Sequence, residues 1–236
     1  MKLYLSITQT LSPWPWWSDA VHHVNHEMTR DGAHDWAHLL RVYQLARKIW
    51  LEEFNAATHC SPQGQASWQI LATAALFHDV VNLPKDSPLR AQASRLAGEH
   101  ATRWLAQHTQ MNDHTLTSVA HAIHAHSFSA NINAESIEAQ ILSDADKLDA
   151  LGAIGIARTF AVGGALGRAL SHEEDPLGTG TRDHDDSLYG VDHFYCKLFK
   201  LKDKMYTQTA QNIAAQRESF MRDFLNQFAH EMNISH

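Results

Sequence analysis

The chain has 236 residues, 44% of them apolar, enough to bury a substantial core in one large or two small domains. Its formal net charge is -7, from 19 Lys and Arg against 26 Asp and Glu, and no long basic run occurs, which argues against stable nucleic-acid binding through phosphates. Two cysteines, Cys60 and Cys196, argue against a disulfide scaffold, and the absence of any run of 18 apolar residues argues against a membrane span.

The first residues, MKLYLSITQTLSPWPWW, lack the apolar stretch of a signal peptide, so a cytoplasmic protein is expected. Residues 1–17 read as an irregular cover, with Trp14, Trp16 and Trp17 packed on the core. Ser18 and Asp19 suit a helix start, and the helix should run to about Thr29, where RDG at 30–32 stops it. A second helix is predicted over 34–54, with His38, Val42, Leu45 and Ile49 on its buried stripe. Residues 55–66 read as loop. The next helix, 67–81, carries Leu71, Ala75 and His78 on one stripe, and Pro84 ends it.

Ser87-Pro88 reads as a cap with proline at the first helical position, opening a helix that reaches His108. Asn112 or Asp113 caps a helix over 114–126, Asn133 introduces one over 135–150, and another covers 154–169. Residues 171–190, SHEEDPLGTGTRDHDDSLYG, form a long polar loop, a lid or a surface segment. Helices over 191–203 and 207–231 close the chain. Period-two alternation is scarce and Gly and Pro number only 11 and 6, so the fold class is all-α. No Pro/Gly/Ser-rich linker divides the chain, so a single domain over 1–236 is expected: a compact multi-helix bundle.

The informative pair is His78-Asp79. It ends the apolar run QILATAALFHDV, and an acid beside an imidazole there costs several kcal/mol unless something compensates. A metal ion would. His38 and Asp146 are ligand-type residues on the apolar stripes of two other predicted helices. Two imidazoles and two carboxylates form a mixed N/O set that suits Mn²⁺, Fe²⁺, Co²⁺ or Mg²⁺ with open positions better than structural zinc. Open positions serve hydrolysis, because an ion there acidifies water and grips phosphoryl oxygens. The competing reading of any one of these residues is a hydrogen-bonded core position. The chain has no GxxxxGK[ST], GxGxxG, HExxH, ExxH or GxSxG motif.

The order His38-Leu-Leu-Arg41-Val42, Phe77-His78-Asp79 and then ADKLDA at 145–150 resembles the HD-domain superfamily of metal-dependent phosphohydrolases. HDVVNLPKD, HSFS, DADKLDALGAIGIAR and HFYCKLFKLKD extend the likeness to its small bacterial members over roughly residues 20–230. The resemblance implies an all-helical bundle. It implies one divalent ion, manganese foremost and Mg²⁺, Co²⁺, Fe²⁺, Ni²⁺ or Zn²⁺ as alternatives, held by His38, His78, Asp79 and Asp146. It implies hydrolysis of a phosphorylated small molecule, most naturally a nucleoside tri- or monophosphate, by a monomer or homodimer. A cyclic phosphodiesterase and a nucleotide sensor with little turnover are the alternatives.

Other candidates surround this set. Asp79 is expected to take a proton from water. His34, on the face of His38, reads as a general acid or phosphate contact, or as a capping residue. Asp149 falls near the ligand face, where it would orient a ligating imidazole or make an outward salt bridge. Asp144 should point elsewhere. His126, from VAHAIHAHSFS, is expected near substrate. Lys85, Arg90, Arg158 and Lys197 are the candidate phosphate contacts.

Overall fold

The computed structural model describes residues 14–28, 35–83, 89–127, 132–180 and 182–232. His34, Lys85, Pro84, Ser87-Pro88 and the RDG stop lie outside the described residues. Among the described residues the chain is all-α and has no strand, only an isolated bridge between Ala169 and Tyr189. No single helix among them is long and apolar enough to cross a membrane. Contacts divide the chain, expected as one domain, into two compact units, Met1–Ala145 and Asp146–His236.

The first unit contains α1 (Trp17–Glu27), α2 (Trp36–Glu53), α3 (Ala56–Cys60), α4 (Pro62–Phe77), α5 (Ala93–His108) and α6 (Asp113–His126). It also holds the start of α7 (Ile137–Asp149), inside which the division falls. α4 is the central helix. Every residue from Ile70 to Phe77 is buried, so this stretch has no polar face. It packs against α2 and α6, with further contacts to α1, α3 and α5. Trp17 is buried against Tyr43, as expected of a core cover, while Trp14 and Trp16 stack outside it with centroids 5.6 Å apart.

Residues 55–66 are not a loop. Asn55 caps α3 by accepting from Thr58 N, and Ser61 caps α4 by accepting from Gly64 N, with Pro62 at the first position. α3 is five exposed or half-buried residues without an apolar stripe, so hydrophobic periodicity carries no sign of it. α4 therefore begins five residues earlier than expected and ends at Phe77, leaving His78 and Asp79 in the turn that follows. The other helices shift by one or two residues at their ends, except that α8 stops at Ala165, four residues before the expected 169, and that a 3-10 turn at Arg90–Gln92 precedes α5.

The second unit holds α8 (Gly152–Ala165), α9 (Asp192–Cys196) and α10 (Gln208–Glu231), with α8 packed on α10. Gly152 adopts φ +74°, and its N–H points to the Met221 sulfur at 3.1 Å. The helix predicted over 191–203 is broken. Phe194, Leu198 and Leu201 have helical spacing and are all buried, but Lys197 leaves the helical region at φ -132°, ψ -56°. The chain continues as 3-10 turns, Leu198–Lys200 and Lys202–Lys204.

The segment 171–190 is irregular but tied down. Arg182 donates to both oxygens of the fully buried Asp192, at 2.6 and 2.7 Å, and Asp185 N–H donates to the same carboxylate at 2.7 Å. Burial opposes the charged form of Asp192. Arg182 and the Asp185 amide outweigh it and hold the carboxyl below its ordinary value.

Two outcomes are expected. In Gly64→Ala the new Cβ would lie 1.9 Å from the Thr58 carbonyl oxygen. The α3–α4 corner must shift, lowering stability by roughly 2 kcal/mol in thermal or urea unfolding. Arg182→Met strands a buried carboxylate and should cost about 3 kcal/mol at pH 7. Because the folded carboxyl titrates below its ordinary value of 3.8, the pair's contribution is complete above that pH and fades as pH falls through the folded value. The deficit of the variant, measured by urea unfolding from pH 7 downwards, should therefore narrow below about pH 4.

Candidate metal centre

Three helix ends of the first unit carry the site. α2 begins at Trp36 because Asp35, in extended conformation, caps it: its carboxylate accepts from His38 N at 2.8 Å. His38 thus sits in the first turn, fully buried. His78 caps the C-terminus of α4, also fully buried, and Asp79 follows it with its side chain 19% exposed. His126 is the last residue of α6 and is buried.

The imidazole orientations follow from what their other nitrogens bond. His78 Nδ1 faces the Ala75 carbonyl at 2.9 Å, and His126 Nδ1 faces that of Ile123. A carbonyl only accepts, so both Nδ1 atoms carry hydrogen and both Nε2 atoms of the neutral rings keep a lone pair. Those Nε2 atoms converge on the Asp79 carboxylate. Oδ2 lies 3.4 Å from His38 Nε2 and 3.8 Å from His78 Nε2, and Oδ1 lies 3.8 Å from His126 Nε2. The Nε2 atoms of His38 and His78 are 3.4 Å apart.

Most of these separations exceed good hydrogen bonds. They fit ligand atoms around an ion: bonds of about 2.1 Å put adjacent ligands roughly 3.0 to 3.4 Å apart. One atom each from His78, Asp79 and His126 lies within 4.8 Å of the others. α4 and α6 both present their C-termini here, where the helix dipole favours a cation. Burial works to raise the Asp79 carboxyl, but His78, His38 and His126 together hold it well below the usual carboxylate range. The donor set, lone-pair directions and carboxylate all suit a divalent ion.

Asp146 is half-buried on α7, one turn past the buried Leu142, and is the first residue of the second unit. Asp149 and Arg158, assigned separate tasks from sequence, pair with each other at 2.6 Å, the acid buried and the guanidinium 21% exposed. Asp144 is fully buried and Lys197 is exposed. Arg90 lies in the 3-10 turn before α5, its side chain outside the described residues. His126 was expected near substrate; its ring meets Asp79 and packs edge-on to His78. Its place at the end of an apolar helix stripe was the available signal. Asp35 caps the helix that carries His38.

The HD-domain family model matches residues 35–151. The chain is 32% identical over 203 residues to the Bacillus subtilis (strain 168) protein YpgQ, covering 82% of each chain. Among solved structures, B. subtilis YpgQ in complex with ADP superposes with a TM-score of 0.66 at 29% identity, over 90% of this chain and 93% of that one. An HD-superfamily hydrolase from Bacillus thuringiensis superposes with a TM-score of 0.64 at 33% identity, over 92% of this chain and 96% of that one.

Asp35→Ala should lower stability by about 1 kcal/mol, because the His38 amide in the first α2 turn loses its acceptor. It should also weaken divalent-metal binding roughly tenfold by freeing the backbone under His38, a loss that isothermal titration with Mn²⁺ would read.

Proposed function

The chain belongs to the HD-domain family, and from that membership we propose that it is a metal-dependent phosphohydrolase acting on a nucleotide. The observation that carries the reading is the convergence of three buried imidazole Nε2 atoms on one partly exposed carboxylate. The description of the YpgQ structure as an ADP complex supports a nucleotide as substrate. Manganese is the proposed ion, with the other divalent metals as alternatives.

We assign His38, His78 and Asp79 as ligands on geometry, and Asp146 as the fourth on the order of the sequence motif. When bound, a divalent ion supplies a Lewis acid for a phosphoryl oxygen and makes water a better nucleophile at neutral pH. The residues do the rest. His78 is locked by the Ala75 carbonyl, so its Nε2 is preorganised to bind without rotation. Asp79, with its low proton affinity, remains charged at neutral pH and orients the attacking water. His126 Nε2, 3.8 Å from that carboxylate, accepts the proton as the water oxygen bonds to phosphorus and the bond to the leaving group breaks. Lys85, Arg90 and Lys197 are the proposed phosphate contacts.

The test is phosphate and pyrophosphate release from a panel of nucleoside mono-, di- and triphosphates with Mn²⁺. Activity should vanish with a chelator and return with the metal. Asp79→Ala should lower it roughly a hundredfold or more while the thermal transition is kept. Undiminished turnover in that variant, or in chelator, would defeat the proposal.

A further inference from the structure

A second cavity lies at the other end of the α2–α4 pair. Its volume is about 510 Å³, within the range of small-molecule sites, and Trp14, Arg47, Trp50, His59, Gln65 and Trp68 line it. The two helices run antiparallel here. His38 meets His78 at one end, while Tyr43 and Trp50 meet Trp68 toward the other. From His38 to Arg47 the helix rises about 14 Å, so this cavity is separate from the metal centre.

Its chemistry is specific. Three indoles supply flat apolar walls; the Trp50 and Trp68 rings lie 6.4 Å apart and 31° from parallel. Arg47 is half-buried, and no carboxylate pairs with it among the described residues. An aromatic box can also hold a cation, but a guanidinium in the wall repels one. His59 Nε2 donates to the Trp50 carbonyl at 3.2 Å, leaving Nδ1 of the neutral ring as an acceptor. Gln65 donates to the Cys60 carbonyl at 3.3 Å, which turns its amide oxygen into a second acceptor.

A buried tyrosine packs against Trp68. Tyr43 is 1% exposed, and its hydroxyl has no hydrogen-bond partner among the described residues. It stands one turn before Arg47, with its ring edge-on to Trp68 at 6.0 Å. Tyr43 is not among the residues that line the cavity, so the group an anion can reach there is Arg47.

We infer that this cavity is a second binding site, for a planar aromatic ligand carrying an anionic group. The ring lies against the indoles, the anion meets Arg47, and ring amino groups, where the ligand has them, meet His59 and Gln65. A nucleobase with its phosphate belongs to this class. The inference does not depend on the metal centre or on hydrolysis.

The test uses the full chain and 2-naphthalenesulfonate, an aromatic anion without a phosphoryl bond, followed by isothermal titration and by shifts of the tryptophan indole resonances. Naphthalene-2-carboxamide and sulfate separate the aromatic contribution from the anionic one. The sulfonate should bind at one site, and each control roughly tenfold or more weakly. Arg47→Gln, a half-buried position, should weaken the sulfonate roughly tenfold and leave the carboxamide unchanged. Trp68→Leu should weaken both aromatic probes. Asp79→Ala should bind the sulfonate as the parent does. No binding by the parent, equal binding of sulfate, indifference to Arg47→Gln, or loss in Asp79→Ala would each overturn the inference.

Discussion

A carboxylate set among three imidazoles is the interaction on which the functional reading depends. Placing Asp79 at the end of a helix as apolar as α4 exposes it to a desolvation penalty of several kcal/mol. His38, His78 and His126 answer that penalty with their edges, and a divalent ion answers it further. The backbone prepares the rings. Carbonyls of α4 and α6 take the Nδ1 hydrogens, so the lone pairs are already turned inward before any ion arrives. The rigidity comes from packing: α4 is buried on all sides over the turns leading into His78, and rings fixed in that way lose little freedom on binding.

The two ends of the α2–α4 pair differ because their side chains differ, not because the backbone does. One end collects histidines and a carboxylate. The other collects tryptophans, a tyrosine and an arginine. A single antiparallel contact thus presents metal-ligating chemistry at one extremity and π-faces with a cation at the other. The second unit uses charge differently. Arg182 closes on Asp192 bidentately, so a segment without regular structure is held by a buried ion pair in place of a hydrogen-bonded ladder.

Much of this was legible in the residues. Apolar spacing of three and four marked the long helices, and scarce alternation excluded sheets. Asn112 and Pro62 both start helices, but the residues straight after Pro62, QGQAS, are polar, so the apolar pattern marks α4 only from about residue 67. α3 has no such pattern. The break at Lys197 was hidden for the opposite reason, since Phe194, Leu198 and Leu201 keep helical spacing while the backbone departs from it.

The sequence by itself determined the all-α class, the family and the order of His38, His78-Asp79 and Asp146, because periodicity and motif order are local properties of the chain. Only the tertiary structure decided that His126 faces Asp79, that Asp149 and Arg158 satisfy each other, and that Asp35 serves His38 by capping its helix. The physical reason is that a polar side chain takes whichever partner helix packing brings within about 3 to 4 Å, and that separation in space has no fixed counterpart in residue spacing.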